Sequence, residues 1–449
     1  MNLKDCRPLI HFTPAYGWLN DPNGLVYHDG IYELYYQSNP DALYWENISW
    51  GHARSGDLLH WEDLGTVMVP DETGMMFSGS GIQSRPGDAG EEEACLCFPY
   101  TAAGDDPSGE EILPGLRRPH FTIRLAKSRD GGNTLVKGGG EILKPYAPDN
   151  RDPKIFYHEE SGAYIIVLWL KGNTFGIYRS EDLGFFELSS TVELEGGFEC
   201  PDLFRLPAVD EGGRPAAGSP WVFWAGDGSY YIGEFDGYTF TETEPRKRSS
   251  MSQLPYAAQT FSGDPKGRVI SISWLRTKTI RGVSTGAMSL PWELSLQKTP
   301  MGFHLRRTLP SEIIRAAQAV PVSDGEALLP CDGAVLLRTM LCEGLALCFI
   351  NASGEEFFSV RKEKSQLFIA SRDVGEYIRV YGQEKASELR LIYDRGILEM
   401  TFTGGLFYTV LDFTELRSEK ISRIMLSSGD ADTELLLIPG NAGPGPGST

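Results

Sequence analysis

Helical periodicity is almost absent from this chain. Short runs rich in β-branched and aromatic residues recur instead: Ile31 to Gln37, Ala163 to Leu170, Trp221 to Gly226 and Arg268 to Leu275. Glycine, proline, asparagine and aspartate bound each run. Such segments suit a half-buried pleated surface and make poor amphipathic helices. With 51 glycines and 28 prolines the turns are well supplied. The expected class is all-β. At 449 residues one core does not suffice, so two domains are expected.

A weak internal repeat refines this. Arg54-Ser55-Gly56-Asp57, Lys127-Ser128-Arg129-Asp130 and Arg179-Ser180-Glu181-Asp182 share a basic-Ser-x-Asp core, 73 and 52 residues apart, with a fainter counterpart at 231–240. That interval suits a four-stranded propeller blade with its loops, and about 300 residues make roughly five blades. The texture changes near residue 302, where GFHLRRTLPSEIIRAAQAV reads as a connector with one short helical turn. Beyond it, short alternating strands suggest a β-sandwich. The expectation is therefore a five-bladed β-propeller at 1–302, a linker at 303–320, a β-sandwich at 321–440 and a mobile Gly/Pro-rich tail at 441–449.

Charge excludes some functions. A net charge of −20 repels phosphate backbones, so no nucleic-acid partner is expected. No apolar run approaches the roughly 18–20 residues of a membrane helix, so no membrane partner is expected either. The N-terminal stretch lacks an apolar secretory core, and seven irregularly spaced cysteines read as free thiols; both point to the cytoplasm. Cys95-Leu96-Cys97 has neither zinc spacing nor a nearby histidine, so alternate positions on a strand are expected and no metal. No cofactor is implied.

Three acids far apart in sequence occupy similar settings: Asp21 in WLNDPNG, Asp152 in NRDPKIF and Glu199 in FECPDLF. Each stands near a proline and beside an aromatic-rich strand. Propeller loops converge on one end of the central channel, which would gather them into one pocket. These motifs, with YYQSNP, WENISWGHARSGDLLHW, FSGS, YAAQTF, GRVISISW and LPWELSL in the same order, resemble glycoside hydrolase family 32, the β-fructosidases. LRLIYDRGILEM is similar to a strand pair of that family's sandwich. The resemblance implies a propeller joined to a sandwich. It implies Asp21 as nucleophile, Glu199 as general acid/base, and Asp152 as a ligand of fructose hydroxyls that steadies the transition state.

The implied chemistry is hydrolysis of terminal β-D-fructofuranosyl residues of fructo-oligosaccharides, fructans or sucrose with retention, through a covalent fructosyl-enzyme. Retention asks for roughly 5–5.5 Å between the carboxyls of Asp21 and Glu199. Like charges in one pocket raise the pKa of one acid; Glu199, between Phe198 and Cys200, is expected to be that one, with Asp21 ionised. Asn20, Gln37, Ser78 and Arg151 are the expected sugar-binding polar groups, and Trp45 and Phe77 the apolar walls. Trp18 is a further candidate wall, and for Trp50 core and pocket weigh equally. His52 reads as structural.

Departures bear on the substrate. Trp292 occupies a position where arginine is frequent in the family, and Leu254-Pro255 precede Tyr256 where an acid is common. Pro70-Asp71-Glu72-Thr73-Gly74 matches a levanase-like run. The lean is to an exo-acting fructanase, with an unusual linkage or a cyclic difructose still open. A fructosyltransferase or difructose-processing enzyme with the same triad, and an inactive sugar-binding propeller, remain the alternatives. The sandwich carries no visible chemistry, which leaves it shielding the propeller and pairing chains into a homo-oligomer.

Overall fold

The computed structural model describes residues 7–105, 111–113, 116–117, 119–210, 212–280, 282–330, 332–371, 375–380, 387–414, 421–427 and 433–439. The expected mobile tail, Cys6 and Cys331 lie outside the described residues. The chain is nearly all-β: its one α-helix among the described residues is Ser311–Ala316. The runs singled out in the sequence become strands Ile31–Asn39, Ala163–Lys171, Trp221–Trp224 and Val269–Ile280. No helix of the described residues is long and apolar enough to cross a membrane.

Four sheets of four or more strands, and a two-stranded one pairing Glu111–Leu113 with Leu116–Arg117, occupy the described chain up to Thr308. The first is ten-stranded and unites Gly17–His28, Ile31–Asn39, Ser49–Ser55 and Glu62–Met68 with strands from between residues 208 and 308. The join is a two-residue parallel pairing, Gly17 with Ser284 and Trp18 with Thr285. The others run 75–141 (five strands), 151–193 (four) and 202–248 (five). In three of the four sheets the weak repeat marks one recurring turn. Ser55, Ser128 and Ser180 end a strand, and each hydroxyl donates to the aspartate two residues on, at 3.1, 2.7 and 3.2 Å. That is the self-capped serine/aspartate turn. The fainter counterpart ends Ser229–Phe235, where Asp236 accepts the N–H groups of Tyr238 and Thr239.

Strands of different sheets are stitched together by buried polar groups. The Lys154 ammonium donates to Thr260 O at 2.6 Å and lies 3.1 Å from the Asp202 carboxylate, which accepts the Thr260 N–H at 2.8 Å. Ser80 Oγ donates to Pro153 O at 2.8 Å and accepts the Ile155 N–H at 2.9 Å. Three strands from three sheets, Arg151–His158, Asp202–Arg205 and Pro255–Thr260, are thus fixed relative to one another by buried hydrogen bonds.

Two six-stranded antiparallel sheets follow, from Gln318 to Pro439. Their facing sides bury an apolar cluster around Leu337, Leu347, Phe349, Phe358, Leu391 and Met400. Of the expected linker, Gly302–Thr308 is a strand paired with Trp292–Thr299. The helix Ser311–Ala316 comes next, and Gln318–Ala319 pairs with Glu434–Pro439. A second cluster spans the two halves, with Trp292, Leu296 and Ile313 packed among residues that include Ile392, Tyr408 and Ile438.

Candidate active site

Each of the three acids sits where regular strand pairing breaks. Asp21 lies in a register shift between Leu19 and Pro22 of Gly17–His28. Asp152 lies in one between Arg151 and Lys154, with φ of 64°. Glu199 and Cys200 precede strand Asp202–Arg205 with φ of 52° and 38°. Left-handed backbone at a non-glycine residue costs about 1 kcal/mol or more, and it clusters where side chains must be aimed. A bulge likewise turns a side chain out of its alternation. The Gly226 N–H donating to Glu199 O at 2.8 Å pins the strained pair.

These devices bring the acids together. The Cys200 thiol donates towards Oδ2 of both Asp21 and Asp152, at 3.5 Å each. The Cys200 N–H also donates to Asp152 Oδ2 at 3.1 Å. Glu199, the neighbouring residue, accepts from Arg151 Nη2 and from Tyr256 OH, the latter at 2.8 Å. Asp152 donates its own N–H to Thr101 Oγ1 at 3.0 Å. Asp21 and Asp152 are buried and Glu199 is half-buried.

Asn20, Gln37 and Ser78 form a relay ending on Asp21. Trp18 Nε1 donates to Asn20 Oδ1 (2.8 Å), Asn20 Nδ2 to Gln37 Oε1 (2.6 Å), Gln37 Nε2 to Ser78 Oγ, and Ser78 Oγ to Asp21 Oδ2 (2.6 Å). Trp45 and Phe77 meet edge-on at 5.7 Å, and Trp45 is 46% exposed, so an apolar wall faces solvent here. Trp50 is fully buried and donates Nε1–H to Phe77 O at 2.9 Å; it supports the wall from the core. Trp18 packs on Trp274 at 5.8 Å. His52 is buried against Glu33 at 2.6 Å, a satisfied structural histidine.

The electrostatic burden falls on the two aspartates. Burial lifts Asp152 to about 7: Arg151 opposes the rise, and the charges of Glu199 and Asp21 add to it. Burial also raises Asp21, against hydrogen bonds from Ser78, Asn20 and Cys200. The sequence reading placed this burden on Glu199. At Asp152 only 4% of the side chain is exposed, and two further carboxylates crowd it. Among the described residues no group of three or more His, Cys, Asp or Glu is arranged to hold a metal ion.

Several residues at the site were not identified from sequence. Phe121 extends the wall, 5.5 Å from Phe77, and the Arg151 guanidinium lies 5.8 Å from its ring. Tyr256 and Cys200 stood inside quoted motifs, YAAQTF and FECPDLF, without a role. Trp169 left no motif; only its pairing opposite Arg151 reveals it.

Three carboxyl groups gathered at strand irregularities beside an aromatic wall form an arrangement suited to acid–base chemistry by carboxyl groups. Residues 11–305 match the Glycosyl hydrolases family 32 N-terminal domain. The chain belongs to that family. It is 33% identical over 337 residues to a levanase of Bacillus subtilis, covering 69% of this chain and 48% of the levanase. Identity to an extracellular exo-inulinase of Aspergillus niger is 33% over 265 residues, 52% of this chain and 49% of that one. The matches thus span about half the length of these curated relatives. The solved exo-inulinase of Aspergillus awamori superimposes with a TM-score of 0.80 at 23% identity, covering 97% of this chain and 98% of the other. A fructofuranosidase of Schwanniomyces occidentalis gives 0.79 at 21% identity, covering 96% and 97%.

Proposed function

We propose that the chain is a retaining exo-β-fructosidase. It would release terminal β-D-fructofuranosyl residues from fructo-oligosaccharides, fructans or sucrose. The observation that carries this reading is the convergence of three carboxyl groups on Cys200, Asp21 and Asp152 through its thiol and Glu199 as its neighbour. The names of the relatives, levanase and exo-inulinase, support fructosides as the substrate class.

Asp21 attacks the anomeric carbon, and Ser78 and Cys200 hold its carboxylate for that attack. Glu199 protonates the leaving oxygen. The fructosyl–Asp21 ester is then hydrolysed by a water that Glu199 deprotonates, so each carboxyl returns to its starting state. Asp152 takes hydroxyls of the furanose ring. Its high proton affinity suits a carboxyl that exchanges hydrogen bonds with hydroxyls. Asn20, Gln37, Ser78 and Arg151 complete the polar ring around the sugar, and Trp45 and Phe77 the apolar wall. The fold reading that accompanies this is a five-bladed propeller followed by a sandwich. Four sheets of four or more strands, the first of them ten-stranded, and a turn that recurs in three of them support it, and the pairing of Gly302–Thr308 supports ending the first domain after Thr308.

The test is a hydrolysis panel of sucrose, 1-kestose, levanbiose, inulin and levan, assayed for free fructose. Early-time NMR of the product reads its anomeric form. Initial β-fructofuranose is expected; initial α-product overturns retention, and no fructose from any substrate overturns the activity. Transfer products dominating at high sucrose would favour the fructosyltransferase.

A further inference from the structure

The Arg151–Glu199 ion pair is backed by an indole that stacks on the arginine. Trp169 is the Cα partner of Arg151 in the antiparallel pair Arg151–His158 with Ala163–Lys171. Its ring lies under the Arg151 guanidinium, 4.0 Å from centroid to Cζ. The indole cannot swing away: Nε1–H donates to Gly172 O at 2.9 Å, and only 4% of the residue is exposed. It also meets Phe198 edge-on at 5.2 Å, and Phe198 is the residue before Glu199. One indole therefore contacts both the arginine that holds Glu199 and the loop that carries it.

Without such support Arg151 would have choices. Its Nη2 reaches Glu199, its Nη1 donates to Asp149 O at 3.1 Å, and its Nε lies 3.8 Å from Asp152 Oδ2. A long side chain serving three acceptors loses aim unless its plane is fixed. Stacking on an indole face fixes that plane and favours the cation electrostatically.

We propose that Trp169 is a positioning residue of the reaction: it sets the plane of the Arg151 guanidinium and the stance of the Glu199 loop, and thereby aims the acid that protonates the leaving group. This rests on the fructosidase reading given above. Position 169 must then be planar and aromatic for activity, beyond being large and apolar.

The experiment compares Trp169→Leu and Trp169→Phe with the wild type on sucrose, a poor leaving group, and on an activated aryl β-fructofuranoside. Trp169→Leu fills much of the volume but has no π face. It is expected to lower kcat on sucrose on the order of tenfold, with KM moving much less and fructosyl-enzyme formation from the aryl fructoside, read as a burst of phenol, nearly spared. Trp169→Phe restores most of the loss. In an Arg151→Lys background the Leu substitution adds little, because the planar group it served is gone. Thermal unfolding checks that the Leu variant is folded at the assay temperature; if it is not, the Phe variant and Trp169→Tyr carry the comparison. Equal losses on both substrates, no rescue by Phe, or full additivity with Arg151→Lys overturns the proposal while leaving the fructosidase reading intact. A wild type that releases fructose from nothing overturns both.

Discussion

Cys200 holds Asp152 with two of its own atoms: the N–H at 3.1 Å and the thiol at 3.5 Å both aim at Oδ2. The same thiol reaches Asp21 Oδ2 at 3.5 Å, so one buried sulfur separates two carboxylates. Burial and the surrounding acids keep that thiol protonated, well above its usual range, and so keep it a donor. Replacing Cys200 with Ala removes the thiol donor from both and leaves Asp152 the backbone N–H. A carboxylate that loses a donor binds its proton more tightly. Cys200→Ala is therefore expected to move the acid limb of the kcat/KM profile to higher pH and to lower kcat on the order of tenfold. A rate loss with an unmoved acid limb would mean the thiol only fills space.

Asp152 carries the electrostatic cost of the site. Its value in the fold is raised to about 7 by burial, above an ordinary value of 3.8. A raised folded value means that the associated stability is present in full below the unfolded pKa, near 3.8, and is lost as pH rises through about 7. Asp152→Asn removes the ionisation. The variant should gain stability over the wild type on the order of a few kcal/mol at pH 8, little at pH 4, and be almost inactive. Urea unfolding at the two pH values decides this. An advantage that is the same at both would break the link to ionisation.

Glu199 offers a sharper kinetic signature. Arg151 and Tyr256 orient both of its oxygens, which suits a group that must deliver a proton in one direction. Glu199→Gln retains the shape and loses the proton. Hydrolysis of sucrose should fall by about 10²–10⁴-fold. An aryl fructoside, whose leaving group needs no protonation, should lose far less in fructosyl-enzyme formation, seen as a burst of phenol. Matching losses in that burst would remove the acid role.

How much of this was legible in the sequence follows from the kind of force involved. Strands such as Ala163–Lys171 are read from residue type because their burial is local and continuous. The Ser-x-Asp repeat is readable because the turn is capped by its own side chains. Asp21, Asp152 and Glu199 were found because each is embedded in a distinctive turn-forming motif. The balance of proton affinities among them was not readable. The rise at Asp152 depends on how deeply the fold buries that carboxyl and on which charges it gathers around it, Arg151, Glu199 and Asp21. Phe121 and Trp169 escaped for the same reason: their importance lies in what stands on a neighbouring or nearby strand of the same sheet. Nor did the chain announce Glu399, an acid on an apolar strand, as the centre of a buried network.

That network joins the two halves of the molecule and makes the last prediction. His11 Nδ1 lies 2.9 Å from Asp394 Oδ2, and its Nε2 lies 2.9 Å from Glu399 Oε1, all three side chains fully buried. Asp394 also accepts the N–H groups of Leu9, Ile10 and His11, at 2.7, 2.9 and 3.0 Å. Glu399 accepts Leu290 N–H and Trp292 Nε1–H, both at 2.7 Å, and Tyr408 OH at 2.5 Å. Trp292, which stands where the family resemblance led one to expect an arginine, thus serves the interface. Burial alone would lower the His11 pKa, but the two carboxylates outweigh it and lift the ring to about 9 from 6.5. Its stabilisation is complete below about 6.5 and is lost as pH rises through about 9. Asp394 and Glu399 are shifted downward despite burial, the His11 hydrogen bond being the leading cause, so their contributions are present above their ordinary values of 3.8 and 4.5 and fail on acidification through the folded values. His11→Asn leaves two buried carboxylates without their cation and should destabilise the protein by about 3–5 kcal/mol at pH 7. The deficit should narrow by pH 10, where the wild-type imidazolium has itself lost its proton. Denaturant unfolding of both proteins at pH 7 and pH 10 measures it; a deficit that stays constant would mean that His11 acts through shape and neutral hydrogen bonds alone.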